Sequence, residues 1–136
     1  MIILDENLPP KAARMLDAFD RKYGVRSIVD FADRGISDLD VFKLLGEMPE
    51  KPVFITQDGR ILKRPAERAA LKDIDITIVF LAPNWMNFSW PEKAWKLVKA
   101  WPSVAAEVTN CRKPTVFELQ GGSSLKLSRL CLTSEL

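Results

Sequence analysis

The stretch Ile76-Thr77-Ile78-Val79-Phe80-Leu81 is apolar at every position except Thr77. A strand with one wet face alternates apolar and polar residues, whereas a strand covered on both faces reads as a continuous apolar run. This segment is therefore expected inside a parallel sheet with helices on both sides. Runs of similar character lie upstream, at Ile2 to Leu4 and at Val53 to Ile55, and Val25 to Val29 reads as a further strand. Helical spacing fills the intervals. Pro9-Pro10 precedes Ala12, Leu16, Phe19 and Tyr23 on one helical face, with Gly24 as the stop. Ser37-Asp38-Leu39-Asp40 has the form of a capping box ahead of Val41, Phe42 and Leu45. Pro65 opens a short basic helix, and a longer helix starts near Ser89 or Trp90. That helix repeats Trp90, Ala94, Leu97, Val98 and Trp101 on one face and carries Glu92, Lys93, Lys96 and Lys99 on the other. Thr115 to Leu119 and Leu125 to Leu130 flank a Gly-Ser turn as a hairpin.

This alternation predicts an α/β fold in three layers: a mostly parallel central sheet, helices on both faces, and a C-terminal antiparallel edge or hairpin. The 136 residues are expected to form a single domain, 1–136, with 118–136 as hairpin and tail. Cys111 and Cys131 lack metal-ligand spacing, and no run approaches the ~20 apolar residues of a membrane span. Asp5 interrupts the opening apolar run where a signal peptide would continue it. A cytoplasmic protein with no membrane contact is expected. Histidine is absent from the sequence, which excludes Ser-His-Asp and Cys-His triads and zinc sites built on imidazole. Chemistry near neutral pH is left to carboxylates, a hard cation, a shifted lysine or a cofactor. Residues 1–50 hold ten acids and seven bases, and residues 51–136 hold eight acids and thirteen bases. An acidic pole beside a basic surface suits a site that holds a cation and receives a polyanion.

In open parallel sheets the site lies beyond the carboxyl ends of the strands. Asp5, with Glu6 beside it, follows the first strand; Asp38, with Asp40, starts the helix after the second; Asp58 follows the third. Each has a local explanation: an Asx-turn at Asp5, the helix dipole at Asp38 and above all at Asp40, a hairpin turn at Asp58-Gly59. Their common placement points instead to one acidic cluster, and converging carboxylates repel unless a cation joins them. Oxygen-only donors select Mg²⁺ or Mn²⁺, and water on such an ion can attack a phosphodiester without imidazole. Asp5, Asp38 and Asp58 are thus expected within reach of one hexacoordinate ion. Removing Asp58 from a mutually repelling set is not expected to destabilise the fold.

The opening Ile3-Leu4-Asp5-Glu6-Asn7-Leu8-Pro9-Pro10, the helix start Ile36-Ser37-Asp38 and the run Phe54-Ile55-Thr56-Gln57-Asp58 resemble the PIN-like nuclease domains, in particular the small bacterial branch of VapC-type toxins. The resemblance is carried by motifs over about residues 1–82. It implies a Mg²⁺- or Mn²⁺-dependent endoribonuclease, the toxin of a type II pair held inactive by a cognate antitoxin. It also implies Asp5 as first metal ligand, with Asp38 and Asp58 completing the cluster. Asn7 and Thr56 would orient those carboxylates, with Glu6 and Asp40 as auxiliary acids. Where the family often carries a further acid soon after its T-x-D motif, this chain has Gly59 and Arg60.

Arg60, Lys63, Arg64 and Arg68 follow the third strand and form a candidate track for RNA phosphates. Trp85 beside Phe88 is the candidate for stacking bases or docking a partner, either an antitoxin or a second copy in a homodimer. Two other functions stay open. One is an inactive PIN-like binding module. The other is a phospho-receiver-like domain, which would want a hydroxyl directly after the fourth strand and a lysine after the fifth, where this chain has Ala82-Pro83 and, before its last strand, Lys113-Pro114.

Overall fold

A computed structural model describes residues 1–73 and 75–130. Cys131 and the tail beyond it lie outside the described residues. One six-stranded sheet runs in the order β2-β1-β3-β4-β5-β6, formed by β1 (Ile2–Leu4), β2 (Val25–Ser27), β3 (Val53–Thr56), β4 (Thr77–Leu81), β5 (Val116–Leu119) and β6 (Leu127–Arg129). β1 to β5 are mutually parallel and β6 returns antiparallel on β5, so the expected α/β architecture with its antiparallel edge is present. The helices are α1 (Pro10–Phe19), α2 (Asp38–Gly46), α3 (Pro65–Asp73) and α4 (Trp90–Thr109).

Strand side chains alternate between two cores. Ile2, Leu4, Val53, Ile55, Val79, Leu81, Phe117 and Leu119 pack with α1 and α4 on one face. Ile3, Phe54, Ile78, Phe80 and Val116 pack with α2 and α3 on the other. Every residue of β4 is buried, as its unbroken apolar run requires.

Three local expectations are corrected. α1 ends at Phe19 rather than at Gly24, because Asp20 and Asp17 turn their carboxylates onto Lys22 N and Val25 N and draw the chain into β2; Phe19 is left half exposed. β2 stops at Ser27, whose hydroxyl caps a 3₁₀ turn, Ile28–Asp30. Lys96 does not lie on a solvated face. It is buried, with Nζ donating to the Gly121 carbonyl at 2.7 Å and lying 4.3 Å from the Phe88 ring centroid.

Trp85 carries the largest correction. It sits in the 3₁₀ turn Pro83–Asn87 after β4, is 0% exposed, and donates from Nε1 to the Leu119 carbonyl at 3.0 Å. Its ring meets half-buried Phe88 edge-on at 5.6 Å. A residue enclosed in this way is a core anchor for the β5–β6 return and presents no docking or stacking surface. Gly121 completes the enclosure, since a Cβ there would lie 2.7 Å from Trp85 Nε1 and 3.0 Å from Phe88. Gly121→Ala must displace the indole, so it should lower stability by about 1–3 kcal/mol, the usual cost of overpacking. Denaturant unfolding followed by tryptophan fluorescence checks this, and an unchanged midpoint would show that the return is not held by Trp85.

Candidate active site

The strand order reverses between β1 and β3, and there the outgoing loops diverge to opposite faces and open a crevice. Asp5 leaves β1 on one side of that switch, while Thr56, Gln57 and Asp58 leave β3 on the other. Leu4 is in register with Ile55, so Asp5 faces Thr56. The Thr56 hydroxyl, fully buried, donates to Asp5 Oδ2 at 2.7 Å and accepts from Asn7 Nδ2 at 3.3 Å and from Asp58 N at 3.1 Å. A hydroxyl has one donor and two acceptor positions, and all are used. Asp5 Oδ1 accepts from Glu6 N at 2.8 Å, which fixes the second oxygen. Asn7 in turn holds Gln57 through two bonds, and Gln57 Oε1 accepts from Lys93 Nζ at 3.0 Å. Thr56 thus touches the Asp5 carboxylate directly, and Asn7 reaches it only through the Thr56 hydroxyl.

Asp58 is not at a hairpin tip, for β3 continues into a 3₁₀ turn, Gly59–Leu62, that Asp58 caps. The Arg60 guanidinium grips both its oxygens, Nε to Oδ1 at 2.9 Å and Nη2 to Oδ2 at 3.1 Å. Asp38 opens α2 behind its N-cap Ser37 and lies 3.6 Å from Arg64 Nη1, which also reaches Glu67 at 3.5 Å. Asp5, Asp38 and Asp58 line one cleft of about 590 Å³ with Arg60, Lys63 and Met86.

Other expected residues have different work. Glu6 lines the cleft, but its carboxylate accepts from Gly35 N at 3.0 Å and ties down the loop before α2. Asp40 is exposed, receives the Ser37 cap through its backbone N–H and does not line the cleft. Arg68 donates to the Leu62 carbonyl and fastens α3 to the turn after β3, so it is not a free phosphate ligand. The structure adds Gln57 and Lys93 to the site: Gln57 stands inside the T-x-D run, and Lys93 shares the polar face of its helix with other lysines, so the sequence carries no mark of the bond between them.

Burial pushes the Asp5 carboxyl above its ordinary value, against the Thr56 hydroxyl and Glu6 N–H, and the charges of Asp38 and Glu6 add to the rise. Asp38 is also raised, first by burial and then by the charge of Asp58, which Arg64 does not fully offset. Asp58 is lowered, chiefly by the Arg60 fork. Among the described residues, no three acidic or cysteine side chains stand close enough to hold a metal ion by themselves. The expected convergence on one ion is thus corrected: the acids share a cleft, but Asp58 is turned onto Arg60 and Asp38 towards Arg64.

A doubly wound sheet with an acidic cleft at its switch point defines the class. The family described as PIN like domain matches residues 1–83, more than half of the 136-residue chain, and the chain belongs to that family, whose fold is of the nuclease type. The match spans β1 to β4 and includes Asp5, Glu6, Asp38 and Asp58, the acids that line the cleft. β4 passes into Ala82 and β5 into Gln120, so the positions where a phospho-receiver wants its hydroxyl and lysine hold neither. No curated protein and no solved structure matches the chain.

The shifts carry opposite signs in stability. Asp5 and Asp38 ionise more readily in the unfolded chain, so their contribution favours the fold at low pH and is lost as pH rises through their raised values. Asp58 favours the fold above its ordinary 3.8, and this is lost as pH falls through its lowered value. Asp58→Asn should therefore reduce stability at neutral pH, contrary to the expectation from repulsion alone, and the difference should vanish in acid. The same variant should lower the Asp38 titration midpoint, because it removes a like charge and frees Arg60. Carboxyl-detected NMR titration reads this directly; an unmoved Asp38 would mean that the two acids do not sense each other.

Proposed function

We propose that this protein is a Mg²⁺- or Mn²⁺-dependent endoribonuclease, with Asp5, Asp38 and Asp58 as its acidic set. The observation that carries the reading is the cleft at the carboxyl edge of the sheet, where Asp5 and Asp38 are pushed up first by burial and then by a neighbouring acid, Asp38 acting on Asp5 and Asp58 on Asp38. Such a set is short of positive charge. The donors suit a hard, hydrated cation, since Mg²⁺ takes one or two carboxylates and keeps several waters. Asp5 and Asp38 would hold it, and when bound it would supply a water acidic enough to attack a phosphodiester at neutral pH. Thr56 and Glu6 N–H fix the rotation of the Asp5 carboxylate, and Asn7 and Gln57 brace Thr56. Arg60, whose side chain is 73% exposed, and Lys63 stand ready for the phosphate oxygens. Leu81, Pro83 and Met86 give the cleft an apolar wall for a sugar or base.

As the toxin of a two-protein pair, the chain would be silenced by an antitoxin capping this cleft. Met86, 65% exposed on its wall, replaces Trp85 as the apolar contact for such a partner. A second reading, an inactive RNA-binding module, is favoured by the fork of Arg60 on Asp58 and by the spacing of the acids.

Cleavage of labelled single-stranded RNA with Mn²⁺ tests both. The nuclease reading expects activity that EDTA abolishes and Mn²⁺ restores. Thr56→Val should weaken metal binding or activity by about 10–100-fold, as loss of a group that orients a ligand does. Binding without cleavage at any Mn²⁺ concentration would establish the binding module, and cleavage indifferent to EDTA would overturn the metal.

A further inference from the structure

The bases that line the cleft, Arg60 and Lys63, belong to the turn after β3 on the α2–α3 face of the sheet. The α1–α4 face has basic groups at the same edge. Lys93, in the first turns of α4, places Nζ 3.0 Å from Oε1 of Gln57, a residue that lines the cleft. Gln57 cannot swing freely, because it is bonded to both the carbonyl and the side chain of Asn7. Lys93 is half-buried, and burial holds its ammonium below the usual lysine range. One turn back on α4, Trp90 lies under Lys11, whose Nζ is 4.8 Å from the ring centroid. Among the described residues, no carboxylate lies within ion-pair distance of Lys11 or Lys93. Two ammonium groups without a carboxylate partner among the described residues therefore stand on the first turns of α1 and α4, at the sheet edge that carries the cleft, one of them partly desolvated and bonded to a residue that lines it.

We propose that Lys93, positioned by Gln57, and Lys11 over Trp90 form a second phosphate-binding lip. A single-stranded polynucleotide would cross the sheet edge from the α2–α3 face, over the carboxylates, to the α1–α4 face. The inference rests on the nucleic-acid reading above and adds the strand's path and the residues that hold it on the α1–α4 face. Bases on both sides of the acids offset the repulsion between the carboxylates and a polyanion, and they place the phosphodiester between the two lips over Asp5. Trp90, half-buried under Lys11, would be the aromatic contact for a splayed base beside the lip, a contact that a stacked duplex cannot make.

The test is binding in EDTA, which suppresses cleavage, read by fluorescence anisotropy on an unstructured labelled RNA of ~12 nucleotides. Lys93→Gln and Lys11→Gln should each weaken binding about 3–10-fold at low salt and reduce the salt-dependence slope by about 0.7, the value for one phosphate contact on a single strand. Lys113→Gln, before β5 at the opposite edge of the sheet, should change neither. Lys93→Arg should restore affinity, and a duplex of equal length should bind more weakly than the single strand. Should Lys93→Gln perturb folding, Lys11→Gln at an exposed position decides alone. Unchanged affinity and slope in both lysine variants, with Arg60→Gln still impaired, would overturn the lip and leave the nuclease reading standing. A wild-type chain that binds no RNA in EDTA would also overturn the lip, while the nuclease reading is decided separately by Mn²⁺-dependent cleavage.

Discussion

The site depends on a single hydroxyl. Thr56 is fully buried at the end of β3, and its oxygen joins Asp5, Asn7 and the Asp58 backbone in one set of bonds. A buried carboxylate is tolerated only when its oxygens are bonded, and among the described residues Asp5 has its bonds from Thr56 and from Glu6 N–H. The register of β1 on β3 puts those partners in place. A slip by one residue would exchange the two faces of β3, bringing Phe54 and Thr56 into the α1–α4 core and turning Ile55 out of it. The hydrophobic pattern that separates the two cores thereby also selects the pairing of the polar residues.

From that pairing follows the electrostatic layout. Asp5 is desolvated by the sheet behind it, whereas Asp58, across the β1–β3 switch and 53 residues further along the chain, is held ionised by Arg60. Asp38 is raised like Asp5, first by burial and then by the charges of Asp58 and Glu67, with Arg64 and Arg60 pulling against the rise. Three carboxylates of the same kind thus carry different proton affinities, and the differences come from backbone position: a strand end, a 3₁₀ cap and the first turn of a helix. Basic side chains frame them from both faces because each helix layer contributes its own loop or terminus to the carboxyl edge.

Much of this was legible in the sequence where a single local rule applied. The unbroken run of β4, the Ser37 cap and the buried Val41, Phe42 and Leu45 follow from periodicity and capping. The acids were found because strand ends carry function in parallel sheets. Long-range partners were less legible. Trp85 reads as an exposed aromatic beside Phe88 until Gly121, 36 residues later, closes over it. Lys96 reads as polar surface until the carbonyl of that glycine gives its ammonium an acceptor. The grip of Arg60 on Asp58 is within reach of sequence reasoning, since the two are separated by one residue and a guanidinium there can pair with a carboxylate as readily as with a phosphate; the local sequence does not decide between the two partners.

The contrast in chain separation between the two halves of the site has a kinetic meaning. Asp5 and Thr56 are 51 residues apart and meet only when β1 and β3 are paired. Their bond opens with the sheet and should share the slow hydrogen exchange of its central strands. Asp58 and Arg60 are two residues apart in an exposed turn, and their fork can open and close on the timescale of a side-chain rotation. The cleft therefore combines a wall that moves only when the protein unfolds with a latch that moves constantly. A guanidinium on such a latch can leave one anion for another without disturbing the strand pairing beneath it.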